Sequence, residues 1–296
     1  TVIAWGKSDY GQTNVPTGLS NVMTIASGLG HNLALKQDGT ITGWGFNGYE
    51  QTTVPNGLSD VVAISAGEYH SLALKSDGSV LAWGLNSSGQ TNQVAGLNRI
   101  VAISAGGAHN LALRADGSVV AWGADYQDQA SVPTGLSNVI AIAAGQQHSL
   151  ALKKDGTVVA WGANYENQTT VPGGLSNVVH IAAGVDHSLA LRMDGSVVVW
   201  GRNNYNQNIP PADVEFCVGL AGGYNHTLAL ANRPPVAIPQ TTPALFNQDT
   251  ELTLIGTDSN SDPVGFKITT LPTAGALYQF TPTGRGPAIT TPNTIV

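Results

Sequence analysis

At 296 residues with 42% apolar side chains, the chain has ample material for one large domain or two of ordinary size. Only 10% of residues are charged and the net charge is −7, which argues against nucleic acid and anionic membrane surfaces as partners, because both are gripped by clustered Lys and Arg. No apolar run approaches the roughly 20 residues of a membrane-spanning helix, so no membrane insertion is expected, and Cys217 alone can form no intramolecular disulfide.

In chain order, the first element is "TVIAWG", β-branched and aromatic, which reads as a strand. The start at Thr1 rather than Met fits a matured product or a fragment of a longer protein. From there the chain repeats itself every 39 residues: Trp5, Trp44, Trp83, Trp122, Trp161 and Trp200; Gln12, Gln51, Gln90, Gln129, Gln168 and Gln207; His31, His70, His109, His148, His187 and His226. A fixed period of this size signals a solenoid or a propeller, in which each unit buries its apolar faces against its neighbours. Within residues 100 to 123, "IVAISAG", "HNLALR" and "SVVAWG" read as three strands, the last two joined by Asp116-Gly117. That dipeptide, repeated as Asp38-Gly39, Asp77-Gly78, Asp155-Gly156 and Asp194-Gly195, suggests a type I′ hairpin turn. Helical spacing is absent, so the chain is all-β.

The repeats end after "HTLALA", the second strand of a unit, while the chain starts on a third strand. Val2 to Trp5 is therefore predicted to pair with His226 to Leu230, completing a sixth unit and closing a ring without exposed edges. Ala231-Asn232-Arg233-Pro234 stands where other units have the Asp-Gly turn, and the periodic pattern stops there. This divides the chain into domains at residues 1–231 and 232–296. The second is rich in Pro and Thr, with predicted strands at Glu251 to Ile255, Gly265 to Thr269 and Ala276 to Phe280. About 65 residues are too few for a complete immunoglobulin-type sandwich of about 100 residues. Its stretch "DSNSDP" reads as a plain turn or as a calcium loop using Asp258 and Asp262, calcium being the one cofactor considered.

The segment "VVAWGANYENQTTVP" from Val158 to Pro172, with "IAAGxxHSLAL" in several copies, resembles the repeats of the RCC1 superfamily of β-propellers, and most closely the short three-stranded blades of the β-lactamase inhibitor protein II type. The resemblance covers about residues 1 to 231. It implies an RCC1-like propeller of three-stranded blades closed by the N-terminal strand; the count of 39-residue repeats makes it six-bladed, where the inhibitor type has seven blades. The C-terminal segment resembles the cadherin-like or immunoglobulin-like modules of bacterial surface proteins, which implies a partial β-sandwich, an extracellular or cell-surface location, and self-association by strand addition.

Residues identical in all copies are those that blade geometry demands, and residues that differ are free to serve a partner. By this comparison the histidines are structural, with imidazoles expected to bond backbone at the start of the second strand, rather than metal ligands. The tryptophans fill the wedge between blades, the glutamines hold the loop after Trp-Gly, and Cys217 replaces a core valine or isoleucine. Ser and His adjoin at His70-Ser71, His148-Ser149 and His187-Ser188, but successive strand residues point to opposite faces, so no catalytic pair is expected and the chain reads as a non-enzyme. The varying positions lie before each histidine and after each Trp-Gly. Phe46, Tyr49, Glu68, Tyr69, Tyr126, Tyr165, Tyr205 and Tyr224 are the candidate binding face for a protein partner, their amphipathic side chains being common at interfaces. The alternatives are a structural subunit of an extracellular assembly, an inhibitor of an enzyme, and a carbohydrate-binding propeller, the last requiring an aromatic platform repeated in every blade.

Overall fold

The structure is a computed structural model that describes residues 1–94, 96–211, 214 and 216–231, and beyond them short strand segments at 236–237, 256–257, 267–268, 277–281, 284–289 and 294–295. It divides into two compact units, Thr1–Ala231 and Asn232–Val296.

In the first unit every repeat forms an antiparallel sheet. The first comprises β1 (Val22–Ser27), β2 (His31–Lys36) and β3 (Ile41–Gly45); the second, β4 (Val61–Ala66), β5 (His70–Lys75) and β6 (Val80–Gly84). The pattern continues through β7 (Ile100–Ala105), β8 (His109–Arg114) and β9 (Val119–Gly123), then β10 (Val139–Ala144), β11 (His148–Lys153) and β12 (Val158–Gly162). The fifth sheet is β13 (Val178–Ala183), β14 (His187–Arg192) and β15 (Val197–Gly201), and the sixth has two strands among the described residues, β16 (Cys217–Gly222) and β17 (Thr227–Ala231). The register sets His31 opposite Gly45 and Val22 opposite Lys36, so each sheet has a histidine end and an Asp-Gly turn end.

The hairpin turn differs from the type I′ expectation. Gly39 has φ +76° and its N–H bonds the Lys36 carbonyl, while Asp38 keeps a negative φ. This is a three-residue loop, a type I turn closed by a left-handed glycine bulge. The aspartate acts through its side chain: Asp38 Oδ1 accepts from the Thr40 N–H and hydroxyl at 3.0 and 2.6 Å, and Asp77, Asp116, Asp155 and Asp194 repeat the contact. Those bonds hold the Asp155 carboxyl near 2, below the usual carboxylate range.

Sheets stack by laying the second strand of one against the first strand of the next, β2 on β4 through β14 on β16. Leu33 and Leu35 of the first sheet pack with Val61, Ala73 and Trp83 of the second. Leu72 and Leu74 meet Ile100, Ala112 and Trp122, and the same set recurs with Leu111 and Leu113 and with Leu150 and Leu152. Full burial of one such leucine contributes about 1.5–3 kcal/mol, so the repeated leucine pair and tryptophan carry much of the stack.

The predicted closure does not form. Val2 to Trp5 is unpaired, Trp5 is 85% exposed, and Leu228 and Leu230 on β17 are 60% and 67% exposed. The physical reason lies in where the N-terminal loop is anchored. The Gln12 carbonyl accepts from Asn32 Nδ2 at 2.8 Å and Trp44 Nε1 at 3.0 Å, as the Gln51 carbonyl accepts from Ser71 and Trp83 in the second sheet, so the segment is tied to the first sheet and away from β17. The N-terminal segment lies along the first sheet, where Val2, Ile3 and Trp5 line a pocket with Ile25, Asn32 and Trp44.

In the C-terminal unit, β18 (Val236–Ala237) pairs with β19 (Gly256–Thr257), β20 (Lys267–Ile268) with β23 (Thr294–Ile295), and β21 (Leu277–Thr281) with β22 (Gly284–Ile289), all antiparallel. The predicted strands at Gly265 to Thr269 and Ala276 to Phe280 overlap β20 and β21, while Glu251 to Ile255, Asp258 and Asp262 lie outside the described residues.

Candidate binding face at the histidine end

The scaffold of this end is a column of buried histidines joined from unit to unit. His31 Nε2 lies 3.1 Å from Ser71 Oγ, His70 Nε2 2.7 Å from Asn110 Oδ1, His109 Nε2 3.0 Å from Ser149 Oγ, and His148 Nε2 3.0 Å from Ser188 Oγ. His187 meets Thr227 in the same way. The partner is thus a side chain of the following unit, not the local backbone that the sequence suggested. Each hydroxyl already donates to a glutamine carbonyl, as Ser71 does to Gln51 at 2.8 Å, so it accepts from the imidazole and fixes the Nε2–H tautomer. Nδ1 is left buried without a partner in His31, His70, His109, His148 and His187. Protonation would put an N–H there in a dry site. Burial accordingly pushes His31 and His70 down to about 4 and His109 and His148 to about 3.

The adjoining Ser-His pairs are separated as the alternation of a strand requires, yet the stack brings the serine of the next unit to each histidine. Ser71, Ser149 and Ser188 are fully buried with their hydroxyl protons committed to carbonyls, an arrangement that holds units together. The Gly-x-x-His spacing has the same origin. A Cβ on Gly145 would sit 2.1 Å from His148 Cε1 and 2.7 Å from the Gly184 carbonyl oxygen, and Gly67, Gly106 and Gly184 are equally crowded. Each glutamine works twice. Gln51 Oε1 accepts from the Tyr49 N–H at 3.0 Å, and its carbonyl accepts from Trp83 Nε1 at 2.9 Å, which pins the post-Trp-Gly loop to the next tryptophan.

On this frame the varying residues fall at one end. Tyr10, Phe46, Tyr49 and Tyr69, from three successive repeats, form one aromatic cluster with ring centroids 4.9 Å apart for Tyr10–Phe46, 5.8 Å for Phe46–Tyr49 and Phe46–Tyr69, and 5.4 Å for Tyr49–Tyr69. Two glycines make room for it. A Cβ on Gly30 would meet Phe46 Cβ at 3.3 Å and Tyr10 at 3.4 Å, and one on Gly48 would meet Phe46 Cζ at 2.6 Å. The equivalents of Gly30 are Tyr69, Ala108, Gln147, Asp186 and Asn225, so this glycine belongs to the patch and not to the repeat. At the same end, Gln146 Nε2 donates to the Glu68 carboxylate across the position of Gly107, where a Cβ would lie 3.0 Å from Gln146 Cγ.

Of the eight predicted residues, Phe46, Tyr49, Glu68 and Tyr69 are brought together. Tyr126, Tyr165, Tyr205 and Tyr224 stand apart and exposed, with the Arg202 guanidinium 5.9 Å from the Tyr205 ring. Tyr10 and Gln146 complete the patch. Their signal was an aromatic or amide at a varying position, but only the stacking angle reveals which of these meet. Among the described residues, no group of three or more His, Cys, Asp and Glu is placed to hold a metal ion, and no helix is long and apolar enough to cross a membrane.

Comparison with known proteins agrees with this geometry. The regulator of chromosome condensation (RCC1) repeat matches residues 24–51, 61–90, 100–129, 139–168 and 178–207, half of the chain. Among solved structures, Prp20p of Saccharomyces cerevisiae, described with its binding properties to Gsp1p and histones, superposes with a TM-score of 0.62 at 26% identity, over 73% of this chain and 71% of its own. The CRINKLY WD40 ectodomain of the Arabidopsis thaliana receptor kinase ACR4 gives 0.58 at 24% identity, over 71% and 77%. Human WBSCR16 gives 0.59 at 21% identity, over 72% of each chain. These last two show the shared fold alone. No curated protein matches the chain in sequence. The chain belongs to the RCC1 repeat family, and its first 231 residues are an all-β stack of RCC1-type units.

Proposed function

We propose that this RCC1-repeat chain is a protein-binding module that holds its partner on the histidine end of the stack. The observation that carries the reading is the cluster of Tyr10, Phe46, Tyr49 and Tyr69, assembled with the help of Gly30 and Gly48, glycines that the other repeats do not share. A fold that needed only to stack would have no use for it. Contiguous aromatics with polar neighbours such as Glu68 and Gln146 suit the centre of a protein interface, where a few anchors carry most of the affinity. The unequal distribution of aromatics favours a single protein surface over a carbohydrate, which would find the same platform in each unit. A secreted or cell-surface setting is in keeping with the resemblance of the C-terminal segment to bacterial surface modules. Inhibition of an enzyme would be one form of the same activity.

Capture from the native producer provides the test. Phe46→Ala together with Tyr69→Ala should lower partner affinity at least tenfold, since central aromatic anchors lose about 2 kcal/mol or more on truncation, while the unfolding transition stays put. Joint alanine replacement of Tyr126, Tyr165, Tyr205 and Tyr224 should have a smaller effect. Undiminished capture by the Phe46 and Tyr69 double variant would rule out this face.

A further inference from the structure

We infer that the anchor a partner seats on this face is a cation, an arginine side chain stacked over the Phe46, Tyr49 and Tyr69 rings and paired with the Glu68 carboxylate; this rests on the protein-binding reading and adds the chemistry of what is bound. The distribution of charge points to it first. At the Asp-Gly turn end of the described units, seven Lys and Arg stand against six Asp, so the charges nearly balance. At the histidine end seven acidic residues stand against two basic ones, and both bases are already engaged, Lys7 by Asp9 at 2.9 Å and Arg202 by Asp186 at 3.3 Å. Glu50, Glu68, Asp125, Asp128 and Glu166 are left without an ion pair among the described residues. A basic partner is steered to such an end and an acidic one is repelled.

Position within the unit makes the case specific. Tyr10, Tyr49 and Tyr205 occupy one and the same place in the post-Trp-Gly loop, and for two of them the chain supplies its own cation three residues earlier, Lys7 before Tyr10 and Arg202 before Tyr205. Arg202 shows what such a cation does. Its guanidinium lies 5.9 Å from the Tyr205 ring centroid while it bonds Asp186, so ring and carboxylate share one positive group. Before Tyr49 that place is taken by Phe46. Rings accumulate there and the charge does not. Phe46, Tyr49 and Tyr69 meet one another edge to face, at interplanar angles of 75°, 67° and 69°, and three such contacts engage at most half of their ring faces. The remaining faces carry the negative side of the aromatic quadrupole, which attracts a cation within about 6 Å. The anion is in place as well. Glu68 is held between units, its N–H donating to the Gly107 carbonyl at 3.2 Å, its carbonyl accepting from the Leu29 N–H at 3.4 Å and its carboxylate accepting from Gln146. Burial raises the Tyr69 hydroxyl above the usual tyrosine value and the Glu68 charge raises it further, in keeping with a carboxylate beside the rings. Arginine suits both groups, because its planar guanidinium stacks on a ring while its N–H groups grip a carboxylate.

A fluorescein-labelled peptide carrying three arginines spaced by Gly-Ser pairs, titrated with the full chain at low salt and followed by anisotropy, tests this beside a counterpart with neutral citrulline in place of each arginine. The arginine peptide should bind saturably and roughly tenfold or more tightly than the citrulline peptide, and added salt should weaken it. Because any acidic protein attracts arginine, the decisive variants carry matched charge changes. Glu68→Gln keeps an acceptor for Gln146 and should weaken binding by about fivefold or more, whereas Glu166→Gln, at an exposed residue outside the cluster, should cost less than about twofold. Phe46→Ala with Tyr69→Ala alters no charge and should cost roughly tenfold or more. The inference is overturned if the arginine peptide does not saturate, if the citrulline peptide binds as well, if the two glutamine variants lose equally, or if the aromatic double variant loses nothing. Such results leave the protein-binding reading intact wherever partner capture still depends on Phe46 and Tyr69, and then give it an uncharged anchor; capture indifferent to those two rings ends that reading whatever the peptides do.

Discussion

The interior of the stack and its two ends are written in the same sequence and differ in having a neighbour. Leu150 is fully buried and Leu228, two repeats later in register, is 60% exposed; Trp200 is buried and Trp5 is not. Burial here is a property of the array, conferred by the next unit, and no single repeat contains its own core. This is the behaviour expected of quasi-one-dimensional proteins, whose stability is a sum of unit and interface terms.

Acid should break the comparison most severely. Four interior histidines are favoured as neutral imidazoles, with folded values of about 4 for His31 and His70 and about 3 for His109 and His148, against 6.5 in the unfolded chain. Below 6.5 the unfolded state takes up protons that the stack refuses, so stability is complete above that pH and is lost progressively toward 4. Each of the four contributes a slope of about 1.4 kcal/mol per pH unit. Urea midpoints measured between pH 7 and 4.5 should fall steeply. A flat profile would show that the column admits charge or water.

A matched pair of truncations sharpens it. Leu150→Ala opens a cavity among Trp200, Val178 and Ile181 and should cost about 2–5 kcal/mol, whereas Leu228→Ala, in the same register at the open end, should stay within about 0.5 kcal/mol, as surface changes do. Chemical denaturation of both variants decides it, and equal losses would mean that Leu228 is covered in solution.

The smallest effect concerns Phe216, which holds φ 56° where the other units have Asn21, Asp60, Arg99, Asn138 and Asn177. A bulky side chain is disfavoured in the left-handed region and asparagine is tolerated, so Phe216→Asn should stabilise by about 1 kcal/mol. A thermal midpoint that does not rise would show that the phenyl ring makes compensating contacts.

Much of this was legible beforehand. The 39-residue period and the buried Cys217 follow from comparing the copies, and the three strands per unit and the glutamine loops from patterns local to each repeat. What the sequence did not disclose lies between repeats. The partner of His31 is Ser71, in the next unit, and nothing near His31 in the chain points to it. Ring closure depends on the angle between sheets, which the count of repeats does not contain, so the pairing of Val2 to Trp5 with β17 was a reasonable expectation that the geometry did not honour. The turn was misjudged because Asp-Gly serves two turn types, and the choice rests on where the carboxylate finds donors. At the candidate face, side-chain identity marked Phe46, Tyr49, Glu68 and Tyr69, but Tyr126 and Tyr165 carry the same identity without the convergence.

The contacts between units have one further property, which concerns how such a chain can change length over generations. Hydrogen bonds along the column join positions 40 apart, the tryptophan bonds positions 32 apart, and the serine bonds positions 20 apart, wherever in the stack they occur. A tandem duplication or deletion of 39 residues would leave all of those separations intact, whether its breakpoints fell in a strand, a turn or a loop. Gene recombination within this region therefore needs no alignment to domain boundaries to yield a foldable product, and the number of units is a quantity that replication slippage can alter in single steps.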